Sequence, residues 1–391
     1  MPAESPDDFV FVHSNRRLIH GWGAVDKLKA LAEEAGCRKA AIVLDGFFLG
    51  QPIAAKLSDL LTLSGGKPAL IGVPMQEPDT ETIEACRAAL AASGADFIVG
   101  LGGGSAMDTV KIARMLLSNP GPVEGIAGFG KRLAPHASLL ACVPTTAGTG
   151  SEVSESAIAG KAGSDVKLIF RSQDMTPQIA LLDPELTVSC PARVTAQSGY
   201  DAITHAVEAY VSRMSGPMTD PYAHSAFALL ARWLPVAVAE PANRAARSWC
   251  LIASTQAAIA FNSANLGLAH AFAAPLGALH HVPHGLGNAL ALPVVTAFNE
   301  PALGDKAASI AAAFGARSAA EAMAKARHAV GLDLSLDGFV PDADARERVA
   351  QAASRSGQMR MNPRTAGIDD LRAMLEAMRT PTGAAAPAFS R

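Results

Sequence analysis

Short apolar runs alternate with amphipathic stretches through the first half of the chain. Lys39–Leu44, Ala69–Val73, Phe97–Gly100, Leu139–Val143 and Ile179–Leu182 are rich in aliphatic residues and bounded by Gly, Pro or polar positions. Strands buried on both faces of a parallel sheet read this way. Between them, Gly23–Ala35, Asp79–Ser93 and Ala106–Leu117 carry apolar residues at helical spacing, and Pro78-Asp79 supplies an N-cap signal for the second. Strand–helix alternation predicts a doubly wound sheet. After about Pro191 the pattern changes. Ala and Leu recur at helical spacing over Val194–Val211, Tyr222–Leu234 and Ser248–Asn262, and strand-like runs nearly vanish. The expectation is an α/β, Rossmann-like domain over residues 1–190 followed by an all-α domain over 191–391.

Composition narrows the function classes. The chain has 391 residues, 49% hydrophobic and 18% charged, with a net charge of −3. That is an ordinary make-up for a two-domain globular enzyme and gives no electrostatic case for nucleic acid or an anionic membrane. Cys37, Cys86, Cys142, Cys190 and Cys250 are scattered, odd in number and without C-x-x-C spacing, as reduced thiols are. Met1–Asp8 is polar and acidic, unlike a secretory leader, and no long apolar run reads as a membrane span. A cytoplasmic protein is expected, with Thr380–Arg391 a frayed tail.

Two loops and a set of ligand-competent residues carry the candidate chemistry. Gly102-Gly103-Gly104-Ser105 follows one strand and opens a helix, where free backbone amides and the helix N-terminus favour an anion. A tight turn without a ligand explains the glycines equally well. Pro144–Glu152 is a second small-residue segment, with Thr145, Thr146 and Thr149 able to hold phosphate, ribose or nicotinamide. Asp45 ends a strand, where a carboxylate accepts from a ribose and repels a 2′-phosphate, or simply caps a turn. Asp201 and His205 stand four apart in a helical pattern, and His270 and His284 flank a segment containing Pro275, Gly277 and Pro283. One Asp and three His make a donor set for a divalent cation, although histidines are plentiful here.

Together these segments resemble the iron-containing (group III) alcohol dehydrogenase family. The resemblance rests on Gly102–Ser105 with Asp108 and Lys111, on Pro144–Glu152, and on Asp183-Pro184-Glu185-Leu186-Thr187. It continues through Gly199-Tyr200-Asp201-Ala202 with His205 and Glu208, Leu266–His270, Pro283-His284-Gly285 and Asn362-Pro363-Arg364. It implies a catalytic cleft between a Rossmann-like and a helical domain, an architecture shared with dehydroquinate synthase. It also implies NAD(P) held by Gly102, Gly103, Gly104, Ser105, Thr145, Thr146 and Thr149, with Lys167 near the nicotinamide as a candidate catalytic residue; Asp108 joins the candidate cofactor residues, and Asp45 at its strand end favours NAD over NADP. The implied metal, Fe(II) in preference to Zn(II), is bound by Asp201, His205, His270 and His284. The implied reaction is hydride transfer between a small alcohol and its aldehyde or ketone, in a homo-oligomer such as a dimer. A dehydroquinate synthase-like lyase and a metal-binding relative without turnover are the alternatives.

Three positions depart from the family pattern. Ala274 stands where a histidine four residues after the third ligand is common, His280 replaces an aromatic residue, and Tyr200 replaces a methionine. His280 and His281, shortly before His284, are therefore the candidate proton relay, with Glu155 and Ser156 expected nearby in the pocket.

Overall fold

The computed structural model describes residues 17–380, position 165 excepted. The Met1–Asp8 reading and the tail beyond Thr380 lie outside the described residues. The chain divides into two compact units, one ending at Ser189 and the other running from Cys190 onward.

In the first unit six parallel strands form one sheet. They are β1 (Arg17–His20), β2 (Ala40–Asp45), β3 (Ala69–Val73), β4 (Phe97–Gly102), β5 (Leu139–Pro144) and β8 (Ile179–Leu182), in the order β1-β8-β5-β4-β2-β3. β4 and β8 are buried along their whole length and β2 and β5 along nearly all of theirs, which is why their sequences are continuous apolar runs rather than alternating ones. After β2 the chain steps outward to β3, then returns to place β4 on the other side of β2. The loops that follow β2 and β4 therefore diverge, and this reversal is where open α/β sheets bind ligands.

The helices are α1 (Leu28–Glu34), α2 (Pro52–Leu60), α3 (Thr80–Ser93) and α4 (Gly104–Leu116). Asp79 caps α3 as its sequence predicts, accepting from Thr82 N at 2.8 Å. The helix expected over Gly23–Ala35 is split. Its first turn, Ala24–Lys27, is a 3-10 turn, because the fully buried Asp183 carboxylate accepts from the amides of Gly23 and Val25 and draws the chain in. An antiparallel hairpin of β6 (Ser156–Gly160) and β7 (Lys167–Arg171) stands apart from the main sheet and has no counterpart in the sequence reading.

The second unit is helical throughout its described residues. α5 (Ala192–Val211), α6 (Asp220–Ala239) and α7 (Arg244–Ala264) correspond to the three expected helical stretches. They are followed by α8 (Leu268–His280), α9 (His284–Asn299), α10 (Asp305–Ala313), α11 (Ala319–Ala329), α12 (Ala343–Ser354) and α13 (Ile368–Ala377). The approach of α9 to α5 is close enough to exclude any side chain at Gly285, where a Cβ would meet Gln197 O at 2.2 Å. That contact seats the first turn of α9 against the turn of α5 that precedes Asp201. Among the described residues no helix is long and apolar enough to cross a membrane, and all five cysteines are free thiols. Burial pushes Cys86, Cys142 and Cys250 up to about 12, so these thiols stay protonated and unreactive.

Candidate functional site

In the α/β unit the two sequence-predicted loops lie against each other at the carboxyl ends of β4 and β5. Thr145 N donates to Gly102 O at 2.9 Å. A Cβ at Gly104 would stand 2.7 Å from Thr149 Cγ2, and one at Gly103 3.6 Å from Thr146 Oγ1. A Cβ at Gly102 would meet the Cβ atoms of Ala106 at 2.7 Å and Asp45 at 3.0 Å. The structure thus brings Asp45, Gly102–Ser105 and Thr145, Thr146 and Thr149 together beside the strand reversal. Gly103, the N-cap of α4, supplies no side-chain cap, so the first amides of the helix are served by no capping side chain. Asp45 accepts from Phe47 N at 3.0 Å through Oδ1 and so caps its own turn; that bond leaves Oδ2 for another donor.

Asp108 is placed differently from its expected contact with the cofactor. Its Oδ1 accepts from Ser151 Oγ at 2.5 Å and its Oδ2 from Ile158 N at 2.9 Å. Lys111, fully buried, donates to Ser151 O, Ser151 Oγ and Ser156 O at 3.1, 3.0 and 2.6 Å and lies 3.9 Å from Asp108. Burial pulls the Lys111 amine down, with Asp108 opposing it, and pushes the Asp108 carboxyl up against the pull of Lys111. The pair is a bracket behind the threonine loop. Lys167, on β7, forms an ion pair with Glu77 at 2.8 Å. Glu155 is buried and pairs with Arg171 at 2.5 Å, while Ser156 serves Lys111 through its carbonyl.

The helical unit holds the donor set. Asp201 and His205 occupy one face of α5, His270 follows the N-terminus of α8, and His284 begins α9. The Nε2 atoms of His205, His270 and His284 lie 3.8, 3.7 and 3.6 Å from a single oxygen, Asp201 Oδ1. Donors about 2.1 Å from a cation at tetrahedral angles stand about 3.4 Å apart, so the distances from Asp201 Oδ1 approach those of a ligand shell, while His205 lies outside the group whose ligand atoms are all mutually close. Asp201, His270 and His284 alone bring their ligand atoms within 4.8 Å of one another. His205 stacks on His270 with ring centroids 4.8 Å apart. Asp201, His205 and His270 are buried, whereas the His284 side chain is 39% exposed. The set is therefore closed on three sides and open on the fourth, as a site that must admit a substrate requires. Burial pushes the Asp201 carboxyl up, but His205, His284, His270 and the Asn288 amide outweigh it and hold the carboxyl below its ordinary value. A carboxylate and three neutral imidazoles suit a divalent ion, and the residues present fit one.

Two further residues complete the centre. Glu208 lies seven positions after Asp201 on the same face of α5 and is buried. Its Oε2 accepts from His270 Nδ1 at 2.7 Å and Gly267 N at 2.9 Å, and its Oε1 from Ala269 N at 2.6 Å. This fixes the His270 tautomer, leaving the Nε2 lone pair toward Asp201. Asn288, one turn after His284, touches the ligand atoms themselves. In the sequence, Glu208 stands out only within a motif and Asn288 is not singled out. The i, i+4, i+7 spacing of Asp201, His205 and Glu208, and the i, i+4 spacing of His284 and Asn288, were the available signals.

His280 and His281 are not brought to the donor set. His280 ends α8, ten residues after His270, which is about 15 Å along the axis and about 80° around it. Burial lowers the His280 imidazole, and its charged neighbours are Arg348, Asp342 and His281 rather than the ligands. His281 is exposed and terminates the helix in the left-handed conformation, φ 53°. Ala274, one turn after His270, presents only a methyl group on the ligand-bearing face. Tyr200 is fully buried and donates to Met323 O at 2.9 Å, tying α5 to α11, so that departure serves packing.

A switch-point glycine loop and a helical unit with a candidate cation site in one chain fit the architecture of a metal-dependent oxidoreductase that works with a dinucleotide. Residues 15–184 match the family described as iron-containing alcohol dehydrogenase, and residues 195–379 match its C-terminal part. The chain belongs to the iron-containing alcohol dehydrogenase family. It is 35% identical over 356 residues to the probable alcohol dehydrogenase EutG of Escherichia coli, covering 90% of each chain. It is 31% identical over 365 residues to the NAD-dependent methanol dehydrogenase of Bacillus methanolicus, covering 90% of this chain and 95% of that protein. The crystal structure of sulfoacetaldehyde reductase from Bifidobacterium kashiwanohense in complex with NAD+ superposes with a TM-score of 0.88 at 28% identity, over 95% of this chain and 99% of that one.

Proposed function

We propose that the chain is an NAD-linked alcohol dehydrogenase that interconverts a small alcohol with its aldehyde or ketone and needs a divalent metal. The observation that carries this reading is the convergence of His205, His270 and His284 on Asp201 Oδ1 at 3.6–3.8 Å. When bound, the cation supplies a Lewis acid for the substrate oxygen and NAD supplies the hydride acceptor. The chain's residues do the holding. Asp201, His205, His270 and His284 bind the cation, Fe(II) first and Zn(II) as an acceptable substitute, since the donor set suits both. The unit over residues 1–190 binds the dinucleotide and the unit over 191–391 binds the metal.

In the first unit, the amides of Gly102–Ser105 at the start of α4 bind the diphosphate, and Asp45 receives the adenosine ribose, favouring NAD over NADP. Thr145, Thr146 and Thr149 line the remaining cofactor surface, with Asp108 and Lys111 bracing them from behind. We assign the proton to solvent or to the cofactor ribose, because the chain offers Ala274 rather than a base beside His270. The protein is read as a cytoplasmic homo-oligomer.

The test is a stripped protein reloaded with Fe(II) or Zn(II) and assayed for NADH formation across alcohols, diols and hydroxy acids. One metal per chain and metal-dependent turnover are expected, both lost in His270→Ala. Full metal content in that variant, or turnover indifferent to metal removal, would overturn the reading.

A further inference from the structure

Asn288 is fully buried on α9. Its Nδ2 lies 2.7 Å from Asp201 Oδ1, 3.2 Å from His270 Nε2 and 3.4 Å from His284 Nε2, so one amide group touches three of the four proposed ligand residues. The orientation of that amide follows from its neighbours. A carboxylate oxygen only accepts, and the His270 ring hydrogen sits on Nδ1, against Glu208. The group facing them is therefore the NH2. Asn288 Oδ1, on the other side, is buried with no hydrogen-bond partner. An unpartnered buried carbonyl lowers stability, and a leucine would fill the same volume without one. Packing does not explain an asparagine here.

We propose that Asn288 is a positioning residue of the metal centre. Its amide donates to Asp201 Oδ1 and thereby fixes which carboxylate oxygen faces the three imidazoles, holding Asp201 to a single ligating oxygen. This rests on the assignment of Asp201, His205, His270 and His284 as ligands. A carboxylate released from that bond turns about its Cβ–Cγ axis and can grip a cation through both oxygens, which changes the coordination number.

The experiment uses the full chain with Co(II), comparing the wild type with Asn288→Leu and Asn288→Asp. Cobalt affinity is read by competition with a chromophoric chelator, and coordination by the visible absorption bands, which weaken as four-coordinate cobalt gains a ligand. Both variants are expected to bind Co(II) about 10–100-fold more weakly with weaker bands at a pH where the new carboxyl is ionised, because leucine has no donor and an ionised aspartate only accepts. Thermal unfolding of the metal-free proteins separates loss of the site from loss of the fold. Should the leucine variant not fold, the aspartate variant, which keeps the shape, decides. Wild-type affinity and spectrum in a folded variant overturn the proposal, as does tighter binding by Asn288→Asp, which would make the side chain a ligand. A wild type that binds no Co(II) overturns the metal assignment itself, so the two failures are distinguishable.

Discussion

Replacing Glu208 by Gln keeps size and shape but removes one charge and one acceptor. In the wild type the two carboxylate oxygens accept from three donors, His270 Nδ1, Gly267 N and Ala269 N, at 2.6–2.9 Å and in a buried place. The N-cap of α8 is Gly267, which has no side chain to serve the first amides of the helix. Glu208 therefore caps α8 from a different helix and orients His270, one of the proposed ligands, at the same time. Glutamine has a single carbonyl oxygen, and its NH2 must face at least one of the three donors. Each charge-assisted bond lost to a neutral one is worth about 1–2 kcal/mol, so folding stability should fall by about 2–3 kcal/mol. Metal affinity should fall by about 10–100-fold, as when the outer partner of a ligating histidine is removed. Glu208→Asp keeps the charge but shortens the reach and should recover only part of either loss. Urea unfolding of the metal-free protein and chelator competition with Zn(II) give the two numbers separately. Unchanged metal affinity in a folded Glu208→Gln protein would refute the role of this carboxylate in presenting His270.

Three other outcomes follow from the same contacts. Lys111→Met should lower stability by about 2–3 kcal/mol, because it leaves the half-buried Asp108 carboxylate without its cation; adding Asp108→Asn should restore part of the loss, and strictly additive losses in urea unfolding would deny the coupling. Asp79→Ala should cost about 1 kcal/mol through the lost cap of α3. The Thr82 amide holds the Asp79 carboxyl below its ordinary value of 3.8, so its stabilisation is complete above that pH and fades as pH falls through the lower folded value; a gap between the two proteins that stayed constant in acid would contradict this. Asp45→Gly should raise kcat/KM with NADP relative to NAD, and a wild type that already prefers NADP would contradict the role given to Asp45.

What the sequence could reveal followed burial. β2, β4, β5 and β8 announce themselves because both faces are covered, so every position is apolar. β1 does not, since Arg17–His20 lies at the sheet edge with most of its side chains exposed, and only its register with β8 makes it a strand. The β6–β7 hairpin is short and half exposed, with neither period strong enough to read. Among the site residues, Asp201, His205, His270 and His284 were recoverable as ligand types at helical spacing, but which histidines meet depends on how α8 and α9 cross α5. His280 and His281 were equally close to His284 along the chain, yet the left-handed residue that ends α8 separates them from it. Asn288 sits in an apolar helix, where its i, i+4 spacing from His284 is the one weak signal until its neighbours are known.

The donors come from three helices, and Asp201 and His284 lie far apart along the chain. A cation shared between them closes that long segment as a cross-link would. For a loop of this length the chain-entropy relation gives about 4–5 kcal/mol taken from the unfolded ensemble. The helical half should therefore obey mass action, its unfolding free energy climbing with the logarithm of free metal concentration by about 1.4 kcal/mol per decade and its melting temperature rising with it. Scarcity of the ion would expose the enzyme to proteolysis as well as silence it, so cellular abundance itself would report metal supply.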